Sequence, residues 1–367
     1  MTPKRALVID QANTFTIQLV RDLAAHGYRV AVFAEPGAPA LRSRACHERV
    51  PSPPWHAQDE FRRRLFDTVG QGRYQAIFLC SEPILETLLP YLERARGWDA
   101  MPITAPSSLK LSFSKNQMLA LADAMSVPAP RTIVPVSEED VAKIGRELGF
   151  PIVVKGEKGS ASQHVRLVHR PEDLVPTYRE IAGRERRSAG RPAIQEFVPG
   201  PVYSIGGLFD NGRPLRVLAH RRLLTFPREG GRTVKGVTER PAKLLENAFA
   251  LFAALDYTGL GHMDFMHDQR DGQFRFLEIN PRVWGSIGLA RLAGVDLYTP
   301  YAALARGELV ASDLRFREGV VFHHLSREMK FIRRHPARLW SFLRDCLDPR
   351  VRSDFEWLDP APHLLFT

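Results

Sequence analysis

Residues Gly261–Ser286, GHMDFMHDQRDGQFRFLEINPRVWGS, constrain the fold of this chain more than any other stretch. Two apolar-rich runs flank the turn Asp268–Gly272. That pattern predicts a β-hairpin closed by a short loop. Side chains alternate along strands, so Asp264, Glu278 and Asn280 share one face. Met263, Phe265, Leu277 and Ile279 then fall on the other face, toward a core. If His267 pairs with Gln273, Asp264 lies opposite Phe276 and Glu278 is its diagonal neighbour, roughly 7–8 Å away at the backbone. Two carboxylates and an amide oxygen on one face call for a cation between them. Magnesium is the natural candidate, because it takes oxygen ligands and combines one or two carboxylates with substrate phosphates. The bland alternative is an exposed hairpin with scattered polar groups.

The first hundred residues alternate strand and helix. Strands are expected at Ala6–Ile9, Arg29–Phe33, Ala76–Cys80 and Met101–Ala105, and helices at Thr16–His26, Phe61–Val69 and Ile84–Arg94. Apolar strands alternating with helices imply a parallel sheet covered on both faces. Ligands of such sheets sit beyond the carboxyl ends of the strands, here the loops Asp10–Thr14 and Ser81–Pro83. Neither loop contains GxGxxG, which argues against a dinucleotide site.

Pro102–Pro106 breaks the composition and marks a boundary. Beyond it, helices are expected at Ser114–Met125, Ala242–Leu255 and Ser286–Leu292, and Tyr203–Asn280 is strand-rich. PIVVKGEKGSASQHVRLV (Pro151–Val168) reads as strand, small-residue loop, strand, with Lys155 ending the first strand. Glycine and serine there let backbone N–H groups approach phosphates closely. It is not a P-loop, since no GK[ST] opens a helix. AIQEFVPGPVYSIGG (Ala193–Gly207) reads as strand, turn, strand, able to present backbone groups to an adenine edge. The basic segment Met329–Arg352 is amphipathic and reads as a terminal helix docked on the core; an anionic membrane surface or a partner protein is the other use. His323 and His324 are adjacent on a strand and point opposite ways, which argues against a metal pair.

With 367 residues, the chain has room for two or three domains. Its 25% charged and 44% hydrophobic residues exclude a disordered, collagen-like or disulfide-scaffold chain. The net charge of +10 favours anionic ligands in general. Nucleic acid is disfavoured, because the arginines are spread along the chain and no stacking motif or zinc module occurs. Cys46, Cys80 and Cys346 form no metal spacing and suggest ordinary thiols in a reducing cytoplasm. The apolar part of MTPKRALVID is too short for a signal peptide, and no 18-residue apolar stretch predicts a membrane span.

In this order, the motifs FSKNQM, PIVVKGEKGSASQHVRLV, AIQEFVPGP and LEINPRVWGS resemble the ATP-grasp superfamily. The likeness is to stand-alone carboxylate–amine ligase-like proteins related to carbamoyl-phosphate synthetase, and it covers roughly residues 107–308. The resemblance implies an α/β and α+β architecture: a Rossmann-like N-terminal domain (1–106), a two-lobed ATP-grasp domain (107–310, lid lobe about 130–199) and a C-terminal strand with a basic helical segment (311–367). It implies ATP and Mg2+ as cofactors, with Mn2+ able to substitute. Lys115 and Lys155 then contact ATP phosphates, and Gly159, Ser160 and Ser162 belong to the loop closing over them. Glu196, Phe197 and Val198 border the adenine, Asp264, Glu278 and Asn280 hold the metal, and Arg282 stands beside the transferred phosphate. Arg221 or Arg222 meets a carboxylate or phosphate of the acceptor. Many members carry a ribose-binding glutamate just after the hinge turn, where this chain has Pro201-Val202.

The implied reaction joins a small carboxylate to an amine through an acyl phosphate, with the acceptors read by Asp10–Thr14, Ser81–Pro83, Arg221–Gly231 and Trp284–Ser286. A homodimer is the expected assembly. The rivals are a non-catalytic ATP-binding regulator, a carboxylase and a small-molecule kinase.

Overall fold

Short apolar runs separated by helices build the first sheet. Strands β1 (Lys4–Ile9), β2 (Tyr28–Ala34), β3 (Glu48–Pro51) and β4 (Ala76–Leu79) are all parallel, in the order β3-β2-β1-β4. The structure is a computed structural model and describes residues 4–92, 97–157, 164–185, 191–226, 231–348 and 350–363. Continuous burial along β1, β2 and β4 reflects helices on both faces. Glu48–Pro51 is a strand that its short, charged sequence does not announce. Met101–Ala105, expected as a strand, forms no ladder. It is an irregular link whose Pro102 carbonyl abuts Gly259, where a Cβ would lie 2.4 Å from that oxygen. The helix expected over Ile84–Arg94 runs Glu82–Leu88 and tightens into a 3-10 turn at Leu89–Tyr91.

A second sheet, β5 (Thr132–Ile133), β6 (Ile152–Lys155), β7 (Val165–Val168) and β8 (Ala193–Glu196), has the antiparallel order β5-β8-β6-β7. Its helices Glu139–Leu148 and Pro171–Glu185 close a small core of Val141, Ile144, Val154, Leu174 and Ile181.

The third and largest sheet contains β9 (Val202–Asp210), β10 (Arg213–Phe226), β11 (Arg232–Thr238), β12 (Gly259–His267), β13 (Phe274–Asn280), β14 (Val321–His323) and β15 (Val351–Ser353). The order is β13-β12-β9-β10-β11-β14-β15, antiparallel except for the last pair. Strands from the C-terminal segment therefore extend this sheet. Helix Ala242–Ala254 covers one face, with Leu244, Ala248, Leu251 and Phe252 at helical spacing. Phe252 stacks on Phe209 with ring centroids 3.7 Å apart. Its loss to alanine would cost about 3–5 kcal/mol. Val283, Trp284, Ile287 and Leu289 share a core with Val8, Leu19 and Val32, so the first sheet's layer packs directly against the turn that follows β13.

The basic segment is broken at His335-Pro336 into Leu325–Arg334 and Leu339–Leu347, joined by a 3-10 turn. Proline cannot continue the hydrogen-bond ladder of the first helix. Phe331, Ile332 and Phe342 are buried and Trp340 is exposed.

Candidate active site

The hairpin β12–β13 carries the expected carboxylates in a different register. His267 pairs with Phe274, and a bulge lies between Asp264 and Phe265. Leu277 is the extra residue, so Asp264 stands directly opposite Glu278, and His262 opposite Asn280. The bulge also corrects the expected core. Phe276 takes the buried place beside Met263, Phe265 and Ile279, while Leu277 turns to line the cleft.

That cleft has a volume of about 780 Å³ and lies between the second and third sheets. Lys115, Lys155, Glu196, Phe197, Val198, Arg222, Asp264, Glu278, Asn280 and Arg282 all line it. Gly159, Ser160 and Ser162 lie outside the described residues.

Lys115 is the first residue of helix Lys115–Ala124, whose N-cap Ser114 accepts from Gln117 N–H at 3.2 Å. A cation at a helix N-terminus opposes the helix dipole, so its place there favours an anionic ligand. Its ammonium donates to the Gly156 carbonyl at 3.1 Å. Lys155 ends β6 almost fully buried. Burial first, and then Lys115, push its pKa down to about 8. At the opposite end, the Glu196 carboxylate accepts from the Arg131 backbone N–H at 3.1 Å, and its oxygen lies 3.6 Å from Arg270. Pro201 and Val202 line the cleft there without a side-chain carboxylate.

Asp264 is buried and fully engaged. One oxygen accepts from Ser204 Oγ at 2.6 Å and the other from the Arg222 guanidinium. Asn280 Oδ1 accepts from Arg282 at 3.0 Å, and Arg282 also donates to the Val283 carbonyl at 2.8 Å. Asp264, Glu278 and Asn280 supply two carboxylates and one amide oxygen, a donor set suited to magnesium shared with nucleotide phosphates.

Alternation along β10 separates the two arginines. Arg222 points into the cleft, whereas Arg221 binds Glu239 on the far face, at 2.9 Å from Nε, and Tyr203 joins that pair at 2.7 Å. Of the expected acceptor loops, Asn13 of Asp10–Thr14 with the adjoining Phe15, and Trp284–Ser286, line the cleft; Ser81–Pro83 does not. Residues 227–230 of the Arg221–Gly231 loop lie outside the described residues.

Several residues of the cleft escaped the sequence reading. His262 lines it and stacks on Trp284, with centroids 5.9 Å apart. Burial, then Arg222 and Arg282, hold its pKa well below the usual imidazole range. Behind it, His220 is pushed down to about 3 by burial and then by Arg222. Arg232 and Arg327 add two guanidinium groups. Arg327 lies four residues before Phe331, a cation on the apolar stripe of its helix. That placement was the available signal.

Residues 115–286 match the family model described as an ATP-grasp domain. The matched stretch runs from Lys115 to Ser286 and contains every expected nucleotide, metal and catalytic residue. Biotin carboxylase of Nostoc sp. is 26% identical over 219 residues, covering 55% of this chain and 48% of that protein. The chain spans about half, or less, of the length of the curated relatives it matches. The biotin carboxylase domain of Hydrogenobacter thermophilus 2-oxoglutarate carboxylase, solved as a dimer with MgADP and bicarbonate, aligns with a TM-score of 0.67 at 17% identity. That alignment covers 88% of this chain and 74% of that one. The L-amino acid ligase of Bacillus licheniformis aligns with a TM-score of 0.60 at 17% identity, over 81% and 73% of the two chains. These likenesses show a shared fold. Among the described residues, no helix is long and apolar enough to cross a membrane.

Proposed function

We propose that this chain is an ATP- and Mg2+-dependent ligase that joins a small-molecule carboxylate to an amine. The observation that carries this reading is the convergence of Lys115, Lys155, Asp264, Glu278, Asn280 and Arg282 on one cleft of the ATP-grasp domain. Phosphoryl transfer asks mainly for positioning and charge neutralisation, and these side chains provide both.

Magnesium held by Asp264, Glu278 and Asn280 would neutralise phosphate charge; Mn2+, with the same oxygen preference, would substitute. Lys115 and Lys155 hold the triphosphate, and Glu196–Val198 border the adenine. A carboxylate oxygen of the substrate attacks the γ-phosphorus, and ADP leaves with the electrons of the broken P–O bond. The product is an acyl phosphate. The amine nitrogen then attacks the acyl carbon, loses a proton and expels inorganic phosphate. Arg282 faces the charge that develops on the transferred group.

The catalysed step is tested by ADP release from Mg-ATP with small carboxylic acids, with and without amino acids as nucleophiles. Release that requires both, with an amide product by mass, supports the ligase. Release with acid alone and a stable phosphorylated product makes it a kinase, and binding without turnover makes it an ATP sensor. A carboxylase is the second reading, favoured by the biotin carboxylase among its relatives. Bicarbonate-dependent ADP release would select it. The free cysteines and the lack of a membrane-length helix among the described residues support a cytoplasmic setting. A homodimer, as in the 2-oxoglutarate carboxylase domain, is the proposed assembly.

A further inference from the structure

The end of the cleft away from the adenine border holds more positive charge than its neighbours offset. Arg327 is the third residue of helix Leu325–Arg334 and lies outside the ATP-grasp match. Its guanidinium donates to the Thr233 carbonyl at 2.8 Å and to Thr14 Oγ1 at 3.4 Å, both neutral acceptors. It packs over Gly285, where an added Cβ would lie 3.6 Å from Nη2. Burial and then the neighbouring Arg232 press its pKa down to about 10. Arg232 opens β11, lines the same cleft and crowds Arg282.

Three other arginines near the chain's cores are paired: Arg21 with Asp359, Arg222 with Asp264 and Arg275 with Asp268. Among the described residues, neither Arg232 nor Arg327 forms an ion pair with a carboxylate. Arg327 is partly withdrawn from water, with only the Asp354 charge to offset it against Arg232 and Arg222, and an anionic ligand would relieve that cost. Trp284 lines the same wall, and its buried indole N–H has no acceptor among the described residues.

We propose that Arg327 and Arg232 form an anion subsite, and that the acid substrate carries a second anionic group, a carboxylate or phosphoryl group, seated there. Arg232 and Arg282 line the same cleft, close enough for their charges to repel, which puts this subsite on the side of the cleft where the ligase reading seats the transferred phosphate and the acid. The inference rests on the ligase reading above and adds a substrate class to it. Arg327 presents a forked donor pair suited to either oxyanion. Because Thr14 joins the N-terminal layer to this arginine, the subsite is completed by two elements that flank the ATP-grasp domain in sequence.

The test uses the full chain loaded with Mg2+ and a non-hydrolysable ATP analogue. Calorimetry measures its affinity for butanoate, succinate and 3-phosphonopropionate. One or both dianions should bind at least about tenfold tighter than butanoate, as charge-assisted hydrogen bonds allow. The order of the two dianions tells carboxylate from phosphoryl recognition. Arg327→Gln should erase the advantage with analogue affinity unchanged. Arg232→Gln, at an exposed position, is the second variant should the half-buried Arg327 prove necessary for folding. Equal affinity for all three acids, or a dianion advantage that survives Arg232→Gln and Arg327→Gln, would overturn the subsite. Failure of the unaltered protein to bind the Mg-analogue would overturn the ligase reading instead.

Discussion

Arg222 and Asp264 form an ion pair in the floor of the cleft, with side-chain exposures of 12% and 7%. The strand positions that set it are adjacent through β9, since Ser204 bridges both groups. Removing one partner of a buried pair leaves an uncompensated charge, at a cost of about 3–5 kcal/mol. Arg222→Met should therefore lower the thermal midpoint. Mg2+ with ADP should raise it more in the variant than in the unaltered protein, because the metal replaces the lost counter-charge of Asp264. Equal stabilisation of both proteins would remove Asp264 from the proposed metal site.

Glu278 stands opposite Asp264 and lines the cleft without being part of a core. Glu278→Gln keeps its size and loses its charge. ADP release at saturating Mg-ATP should fall roughly 100- to 1000-fold, the usual cost of deleting one electrostatic stabiliser. The circular dichroism spectrum should not change. Undiminished release would sink the assignment of Glu278 as a metal ligand.

The parts of this site that sequence made legible are those set by local periodicity. Alternation placed Asp264, Glu278 and Asn280 on one face, and the helix expected over Ser114–Met125 placed Lys115 at its start. A one-residue bulge is invisible to the same pattern, which is why Leu277 was expected in the core and lines the cleft instead. Arg221 and Arg222 could not be told apart until the register of β10 was fixed by its two neighbours. Arg327 was out of reach for another reason. It enters the cleft only because β14 joins β11, a contact between segments some 80 residues apart in sequence. The link Met101–Ala105 is apolar enough to read as a strand, but Pro102 cannot donate to a ladder, and the link pairs with no strand even though β4 is the edge of its sheet.

The C-terminal segment is held to the first layer by buried polar contacts. Asp359 accepts from Arg21 at 2.9 Å, from Ser43 Oγ at 2.5 Å and from the Arg44 backbone N–H at 3.1 Å. Asp354 receives the N–H of Leu325 at 2.8 Å, next to the turn that carries Arg327. Asp359→Ala removes the nearer of Arg21's two carboxylates, leaving Glu356 at 3.7 Å, and should cost about 1–3 kcal/mol in urea unfolding. A loss within about 0.5 kcal/mol, the range of ordinary surface substitutions, would show that the segment contributes little to the fold.

Lys155 gives the chain a pH dependence whose sign can be stated. Its pKa in the folded protein is about 8, lowered by burial and by Lys115. An unfolded lysine titrates near about 10.4. Between these values the unfolded chain binds more protons, so this group makes stability rise with pH across that window. Nucleotide phosphates favour the ammonium form and raise the pKa again, so binding must take up protons at a pH between the two values. Calorimetric titration of Mg-ATP in two buffers of different ionisation enthalpy reads that uptake directly. Lys155→Met should abolish the buffer dependence and weaken binding. If the unaltered protein shows no uptake, or if the variant shows the same uptake, Lys155 does not meet the phosphates.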